Sequence, residues 1–458
     1  MRGSALLEDL SRFAGSSGFE VRPADGAYLS DATLHWLGEG TAEAVVLPSS
    51  VEQVAAAMVW CYEHGVPLTP RGGGTGYSGG AVPDGGVVLA LERMRAVRSL
   101  VPLSWRAEVE AGLPTAEVQR LARENGLYFP PDPGAAEQSQ IGGNVATNAG
   151  GPHAFKYGAT GAWVTGVEAV VPPGRVVRFG GALRKDVAGY DLRSLLIGSE
   201  GTLGVITAVT LRFVPPPERR FPLVGFYPDE AAGGLAVQSC LASGAIPSAL
   251  EFLDREAVEI VRRAFPVELP AEPCFAVIAE ADGSEAAALE GRGALEEALA
   301  EGALRVVGPT EPAAIEELWR WRDGVGLAAD AALGAKAGED VGVPVERLAE
   351  AVAGTREIGR RHGLATCCWG HAGDGNLHST FLFGPTEEGA LARVAAANED
   401  LFGLAVELGG TVSGEHGLGT AKAGQLSRQW SPDAVALHRA VKGMFDPEGL
   451  LNPGKKLP

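Results

Sequence analysis

Three of the eight histidines lie in two short glycine-rich segments, and one of them adjoins a glutamate. The first segment, His-Ala-Gly-Asp-Gly-Asn-Leu-His, runs from His371 to His378, and the second, Ser-Gly-Glu-His-Gly, places Glu415 before His416. Imidazole and carboxylate groups bind Zn²⁺, Mn²⁺ and Fe²⁺, and a neutral imidazole accepts protons near neutral pH. These residue types and spacings predict a divalent-metal site, a proton-transfer centre, or both.

The residues between the two histidines can fold the chain back, and the alternation after His378 predicts that it opens a strand. Two imidazoles with Glu415 would make a three-ligand site with an open position. Adjacent extended residues face opposite ways, so Glu415 can face a metal while His416 faces elsewhere. The neighbouring pair Cys367-Cys368 is interpreted as a buried strand pair rather than a ligand pair.

The composition is that of a folded, acidic protein. The chain has 458 residues, 46% hydrophobic and 21% charged, with a net charge of −19. This length predicts two or three domains, and the charge disfavours nucleic-acid binding. The first ten residues lack the apolar core of a signal peptide, and no run is long enough to span a membrane. Five scattered cysteines indicate reduced thiols in a cytoplasmic protein.

A glycine-rich segment follows a predicted βα unit. A strand is expected over 44–48, then a capping box over 49–52 and a helix that ends at Gly65. The segment 74–79 reads Gly-x-Gly-x-x-Gly, but a strand at 86–91 follows it instead of the helix that a Rossmann motif requires. We therefore expect a nest of backbone N–H groups that binds phosphate oxygens.

A second glycine-rich segment, 142–151, is predicted to be a similar loop with polar side chains. Two such loops in one domain predict a long ligand with a phosphate middle and a planar end. Strands are expected at 164–171 and 205–213, the prolines at 215–217 mark a domain boundary, and 424–444 is predicted to be helical.

These segments resemble known flavin-binding motifs. Residues 70–80, 141–151, 198–207 and 452–455 are similar to motifs of the vanillyl-alcohol-oxidase/PCMH-type family. Within it, the chain resembles the D-2-hydroxy-acid dehydrogenases, most closely the GlcD-like subunits of glycolate oxidase and D-lactate dehydrogenase. The resemblance spans about residues 40–455 in the same order.

The resemblance implies an α+β fold with two main domains. A PCMH-type FAD-binding domain of two α+β subdomains is expected over 38–217, after an N-terminal helical segment at 1–37. An α+β cap or substrate domain with an antiparallel sheet is expected over 218–440. A tail at 441–458 would return to the FAD site.

The resemblance also implies FAD in an extended conformation. We expect it to be noncovalent, because Thr75 lies in the first loop and no histidine occurs in the second loop before His153. The residues that match the family's FAD contacts are Arg71, Gly72, Gly73, Gly74, Thr75, Gly76, Ser78, Pro131, Gly134, Ser139, Gly142, Asn144, Thr147, Gly201, Val205 and Asn452.

For the catalytic centre, the resemblance makes His371, His378 and Glu415 metal ligands and His416 the base. Asn376 would help hold the substrate or the flavin edge, and Arg322 would bind the substrate carboxylate. Some relatives have a lysine where this chain has Gly-Glu-Asp at 338–340. This departure disfavours dicarboxylates such as 2-hydroxyglutarate and favours glycolate or D-lactate.

The predicted function is FAD-dependent oxidation of a small D-2-hydroxy acid to the 2-oxo acid. One alternative is a subunit that is inactive without a second flavin-type subunit and an iron–sulfur subunit, since the chain has no cysteine cluster for such a centre. Partner subunits could hold the protein at the inner face of a membrane, and a homodimer is compatible with the sequence. A metal-free oxidase of alcohols or aryl substrates is a third hypothesis.

Overall fold

The computed structural model describes residues 3–266 and 269–457. The chain forms two compact units: unit 1 comprises Met1–Gly150, Ala159–Pro215 and Glu415–Pro458, and unit 2 comprises Gly151–Gly158 and Pro216–Gly414. Among the described residues, no helix is both long enough and apolar enough to span a membrane.

The strands are β1 (Glu20–Pro23), β2 (Ala44–Leu47), β3 (Leu68–Arg71), β4 (Val87–Ala90), β5 (Val97–Val101), β6 (Arg106–Glu110), β7 (Val164–Val171), β8 (Arg175–Gly180), β9 (Val205–Arg212), β10 (Arg219–Tyr227), β11 (Ala249–Leu253), β12 (Phe275–Gly283), β13 (Arg305–Val307), β14 (Ala335–Gly342), β15 (Ala365–His371) and β16 (Asn376–Phe383).

The helices are α1 (Gly3–Ser17), α2 (Gly26–Leu29), α3 (Leu34–Leu37), α4 (Val51–Glu63), α5 (Thr115–Glu124), α6 (Ile141–Thr147), α7 (Ala154–Tyr157), α8 (Leu192–Leu196), α9 (Glu230–Ala242), α10 (Arg255–Val261), α11 (Glu285–Ala300), α12 (Pro312–Asp323), α13 (Val325–Leu333), α14 (Leu348–His362), α15 (Ala390–Glu407), α16 (Leu426–Gln429) and α17 (Pro432–Phe445). Short 3₁₀ turns lie at Pro102–Ser104, Thr160–Trp163, Arg262–Ala264, Val345–Arg347, Ala372–Asp374 and Ala423–Gln425.

Unit 1 contains two sheets. The first has the order β1-β2-β4-β3, with β4 parallel to both β2 and β3 and β1 antiparallel to β2. Strands β2 and β4 are apolar and buried throughout, as expected for parallel strands covered on both faces. The second sheet, β5-β6-β9-β7-β8, is antiparallel. This arrangement confirms the two α+β subdomains expected of a PCMH-type domain.

Unit 2 is built on one seven-stranded antiparallel sheet of order β13-β10-β12-β11-β15-β16-β14. Helices α9 and α11 pack against β12, α14 against β15 and α15 against β14. The predicted antiparallel sheet is confirmed. Cys367 and Cys368 lie buried on β15, as the interpretation of a strand pair requires.

Three local predictions were wrong. The segment after Gln140 is not a loop but helix α6, which ends where Asn148 adopts a left-handed conformation (φ 55°). The helix predicted over 424–444 is broken, because Ser431 caps a new helix that has a proline in its first turn. The predicted capping box over 49–52 does not form: the helix is capped by Ser50, whose hydroxyl accepts from the Gln53 N–H, and the Gln53 side chain accepts from the N–H of Ser49, the residue before the cap.

Candidate active site

His371 and His378 lie on neighbouring strands of unit 2. His371 ends β15 and His378 is the third residue of β16, where it pairs in register with Trp369. The two imidazole rings are buried and nearly perpendicular, with centroids 5.3 Å apart. The turn between the strands requires glycine at 375, because φ is 64° and a Cβ there would lie 1.9 Å from the Val343 carbonyl oxygen. The chain thus brings both histidines together by a tight hairpin.

Glu251 holds His371 and Arg322 at the same time. This glutamate on β11 is fully buried; Oε1 lies 2.8 Å from His371 Nδ1, and Oε2 pairs with the Arg322 guanidinium. Burial by itself raises the pKa of Glu251, but Arg322 and His371 outweigh it and hold that pKa below its ordinary value. A carboxylate only accepts hydrogen bonds, so His371 donates from Nδ1 and directs Nε2 away from Glu251. Metal-binding histidines are commonly oriented in this way.

Asp340 fixes Asn376 and the chain just before Glu415. It lies on β14 opposite His378 in register and is fully buried. One carboxylate oxygen accepts from the Asn376 amide. The other accepts from the Ser413 hydroxyl at 3.2 Å and from the Gly414 N–H at 2.8 Å. Gly414 is the last residue of unit 2, and Glu415 is the next residue along the chain.

In unit 1, His416 lies against the first glycine-rich loop. Its imidazole stacks on the Tyr77 ring with centroids 4.9 Å apart, and its carbonyl oxygen accepts from the Ser78 hydroxyl at 3.0 Å. Position 419 must be glycine, because a Cβ there would lie 1.9 Å from the Ser78 carbonyl oxygen of the same loop. The loop therefore positions the predicted base through backbone and ring contacts.

Glu200 ties three segments of unit 1 together. Its carboxylate accepts from the backbone N–H groups of Leu418 (3.0 Å) and Gly419 (2.7 Å) and from the Lys456 ammonium (3.1 Å). The Asn452 amide donates to the carbonyl oxygens of Gly80 and Glu200 itself. The C-terminal segment is thus fastened to the first glycine-rich loop at Gly80 and to the 198–207 motif at Glu200.

Much of the glycine in the first loop serves close packing within the protein. A Cβ on Gly73 would lie 2.2 Å from the Gln138 carbonyl oxygen, and one on Gly74, where φ is 68°, would collide with the Arg71 guanidinium. That guanidinium donates to the carbonyl oxygens of Ala27 and Ser30. A contact of Arg71 with FAD would therefore involve its backbone rather than these committed nitrogens.

Other predicted FAD contacts form a network around α6. The Asn144 amide donates to the Thr115 hydroxyl at 2.5 Å, which also lies 2.9 Å from the Ser139 hydroxyl. The Thr147 hydroxyl donates to the Gly143 carbonyl at 3.1 Å. The remaining predicted positions also lie in unit 1: Gly72, Thr75, Gly76, Pro131, Gly134, Gly142, Gly201 and Val205.

Unit 1 has polar atoms suited to a flavin dinucleotide. Among the described residues, Gln140 Oε1, Ser199 Oγ and Asn452 Oδ1 are buried and have no hydrogen-bond partner. All three lie in or beside motifs that resemble flavin-binding segments, and buried polar atoms are normally satisfied. Together with the glycine-rich backbone, they fit a ligand rich in hydrogen-bonding groups.

Three positioning residues are not predicted from the sequence: Glu251, Asp340 and Glu200. Glu200 lies inside the 198–207 motif but has no predicted role, and Asp340 enters the sequence argument only through its charge. Glu251 gave no signal, because it lies 120 residues from His371 in the sequence.

Comparison with known proteins gives the family. Residues 216–456 match the model described as FAD linked oxidases, C-terminal domain, and residues 42–180 match the FAD binding domain model. The chain is 34% identical to the glycolate oxidase subunit GlcD of Bacillus subtilis, over 98% of this chain and 96% of that protein. It is 35% identical to a D-lactate dehydrogenase of Anaerostipes hadrus (91% and 90%) and to a D-2-hydroxyglutarate dehydrogenase of Xanthomonas citri (95% and 93%).

The fold is also that of p-cresol methylhydroxylase with substrate bound, with a TM-score of 0.78 at 17% identity, over 100% of this chain and 97% of that one. The FAD-binding and C-terminal models together account for both glycine-rich motifs and the histidine segments. The chain therefore belongs to the FAD-linked oxidases, and it is an FAD-linked oxidoreductase of the glycolate oxidase, D-lactate and D-2-hydroxyglutarate dehydrogenase type.

Proposed function

We propose that the protein oxidises a small D-2-hydroxy acid, glycolate or D-lactate, to the corresponding 2-oxo acid. The observation that carries the proposal is the Glu251 bridge, which holds together His371 and Arg322, the residues that we assign to metal and to substrate carboxylate. FAD, when bound, supplies the acceptor for the hydride that leaves C2.

We propose His416 as the base that takes the hydroxyl proton, since an imidazole is suited to this transfer near neutral pH. Its stacking on Tyr77 fixes the ring plane. Arg322, which Glu251 holds by an ion pair, would bind the substrate carboxylate, and Asn376 would hold the substrate or the flavin edge.

His371, His378 and Glu415 are the residues that would hold a divalent metal. The donor set fits: the hydrogen bond to Glu251 orients His371, and Asp340 anchors the peptide that precedes Glu415. Such an ion would lower the pKa of the substrate hydroxyl. Zn²⁺, Mn²⁺ and Fe²⁺ all suit two imidazoles and a carboxylate.

The buried acids of β14 support a small substrate. Glu339 accepts from the Asn398 amide, and Asp340 accepts from Asn376, so both carboxylates are held inside unit 2. The Asp340 carboxylate beside Asn376 would disfavour a second substrate carboxylate there. We therefore rank 2-hydroxyglutarate, the substrate in one relative's name, below glycolate and D-lactate.

Noncovalent FAD fits the contacts of His153, the first histidine after the second glycine-rich segment. His153 Nε2 lies 3.0 Å from Glu280 Oε1 and 2.6 Å from an Arg220 nitrogen. We propose that the His153 side chain stabilises unit 2 and forms no covalent bond to the flavin, so acid precipitation should release all flavin into the supernatant.

We also propose a division of the chain into domains at residues 1–37, 38–217, 218–440 and 441–458.

The decisive experiment is an anaerobic screen of 2-hydroxy acids on the FAD-loaded protein, with flavin absorbance as the readout, with and without a chelator. We expect glycolate or D-lactate to bleach the flavin and the chelator to slow bleaching. If every 2-hydroxy acid leaves the flavin oxidised while an aryl alcohol reduces it, the proposal fails and the metal-free oxidase hypothesis replaces it.

A second candidate is suggested by the word subunit in the name of the Bacillus relative. On this alternative, turnover requires a second flavin-type subunit and an iron–sulfur subunit, which could also hold the chain at a membrane. Steady turnover of the isolated chain with an artificial acceptor would contradict strict dependence. Bleaching in a single turnover without steady turnover would support it.

A further inference from the structure

A groove in unit 1 is lined by none of the predicted site residues. It has a volume of about 440 Å³ and is bordered by the turn after β5 and the segment after β8. We call it the arginine groove, and its lining residues are Leu103, Ser104, Trp105, Arg106, Thr165, Ala182, Arg184 and Arg212.

The groove concentrates positive charge in an acidic protein. Its three guanidinium groups pair with no carboxylate among the described residues; Arg106 and Arg212 donate to the carbonyl oxygens of Ala182 and Ala162. Arg184 lies over the Trp105 ring at 5.1 Å. Burial lowers the pKa of Arg212, and the nearby charge of Arg184 lowers it further. Repelling cations without counter-ions favour an anionic ligand.

Apolar side chains project into solvent beside these cations. Leu103, which lines the groove, is 99% exposed, and Val187 and Tyr190 on the following loop are 97% and 94% exposed. The same loop carries Lys185 and one acid between Arg184 and Tyr190, Asp186. Apolar tips that are almost fully solvated and flanked by cations are typical of surfaces that contact a larger partner.

We propose that this face docks directly on an anionic lipid surface. Phosphodiester headgroups would occupy the arginine groove, and Leu103, Val187 and Tyr190 would enter the interfacial region of the bilayer. The assignment rests on charge complementarity between the cationic groove and the anionic lipid headgroups. Because the whole chain has a net charge of −19, an anionic membrane would repel most of its surface, so this cationic face is the one that can approach the lipid. Protruding tips suit a deformable lipid interface better than a rigid protein surface, and tyrosine and tryptophan are favoured at that depth.

The test is flotation of the full FAD-loaded chain with vesicles of phosphatidylcholine alone or with about 30% phosphatidylglycerol, at about 0.1 M salt. We expect binding to the anionic vesicles only. Each cation near an anionic leaflet contributes about fivefold to affinity, so Arg184→Gln with Lys185→Gln should weaken binding about 25-fold. Leu103→Ser with Val187→Ser should weaken it as well.

Matched controls remove the same groups elsewhere in unit 1. Arg120→Gln with Arg123→Gln removes two exposed cations from α5, and Leu437→Ser with Met444→Ser removes two exposed apolar groups from α17. These variants should bind vesicles like the unchanged protein, and all variants should keep their FAD and thermal midpoint. Equal binding by groove and control variants overturns the proposal, as does equal binding to neutral vesicles. Binding to poly-glutamate but not to vesicles would assign the face to an acidic protein partner and also overturn it.

Discussion

The two units build their parts of the predicted site in different ways. Unit 1 relies on backbone: glycines at 73 and 74 allow segments to approach closely, and N–H groups of 418 and 419 converge on Glu200. Unit 2 relies on buried carboxylates: Glu251, Glu280 and Asp340 each collect several donors inside one sheet. Backbone sites should therefore be sensitive to added volume, and carboxylate sites to protonation and charge.

The largest effect on the rate of flavin reduction is expected at His416, the side chain of unit 1 that we propose as the base. His416→Ala should slow anaerobic flavin reduction by about 10³-fold, because general-base catalysis contributes on the order of 10²–10⁴. Flavin content and bound metal should be unchanged, as measured by absorbance and elemental analysis. His438→Ala, on exposed α17, is the control. A normal reduction rate in His416→Ala would remove the proposed base.

Glu415→Gln separates the two adjacent roles. The variant should lose metal while keeping FAD, because a neutral amide binds divalent ions more weakly than a carboxylate. Reduction should fall by at least tenfold and recover partly at high metal concentration. If Glu415→Gln keeps its metal and His416→Ala loses it, the assignment of ligand and base is reversed.

Glu280 tests the carboxylate design of unit 2 through pH. Arg220, Ser248 and Trp319 donate to its carboxylate, and His153 Nε2 lies 3.0 Å from it. Burial alone would raise the pKa of Glu280, but Arg220 and His153 outweigh burial and lower the pKa to about 2. Between that value and the ordinary 4.5, the unfolded chain holds more protons, so this contribution to stability is complete above pH 4.5 and is lost as pH falls toward 2.

Glu280→Gln should therefore lower the free energy of unfolding by about 3 kcal/mol at pH 6, as expected when one partner of a buried ion network is removed. Urea unfolding followed by tryptophan fluorescence at several pH values measures it. The difference from the unchanged protein should shrink steadily below pH 4.5. A pH-independent difference would show that geometry, not charge, stabilises this cluster.

Glu251→Gln tests positioning without removing volume. Metal affinity should fall by roughly 10–100-fold, the usual effect of losing a partner that orients a metal-binding histidine. Glu280→Gln is the matched control, because it alters a buried glutamate on the neighbouring strand β12 and should leave metal affinity unchanged. Unchanged affinity in Glu251→Gln would reduce its role to pairing with Arg322.

The smallest effects separate two uses of glycine in unit 1. Gly73→Ala should weaken FAD binding about tenfold, since its Cβ would meet a carbonyl oxygen at 2.2 Å and overpacking costs roughly 1–3 kcal/mol. In Gly76→Ala, the nearest atom lies 3.9 Å from the new Cβ, so protein packing tolerates the added methyl group and FAD binding should stay close to that of the unchanged protein. Titration of the apoprotein with FAD measures both. An equal loss of FAD affinity in both variants would mean that glycine is needed at these positions for the approach of FAD rather than for packing within the protein.

The same contrast explains what could be predicted from sequence. Glycine clusters mark backbone sites directly, so the flavin-binding fold and its motifs were identified from residues 70–80 and 141–151. Helix α6 is not predicted from the sequence because Gly142 and Gly143 lower helix propensity, whereas the close approach of Gly142 to Ala111 requires glycine at 142. Glu251 could not be predicted, since only strand pairing within the folded sheet brings it to His371.

The path of the chain also sets an order of assembly. Leu451 bridges to Leu68, and Asn452 and Lys456 fasten to segments near residues 80 and 200, so unit 1 is completed by its last segment. On the ribosome, all of unit 2 emerges before that segment does. The sheet of unit 2 can therefore form while the chain is still growing, whereas unit 1 is complete only after residues 451–456 have been synthesised and have reached the segments near residues 68, 80 and 200.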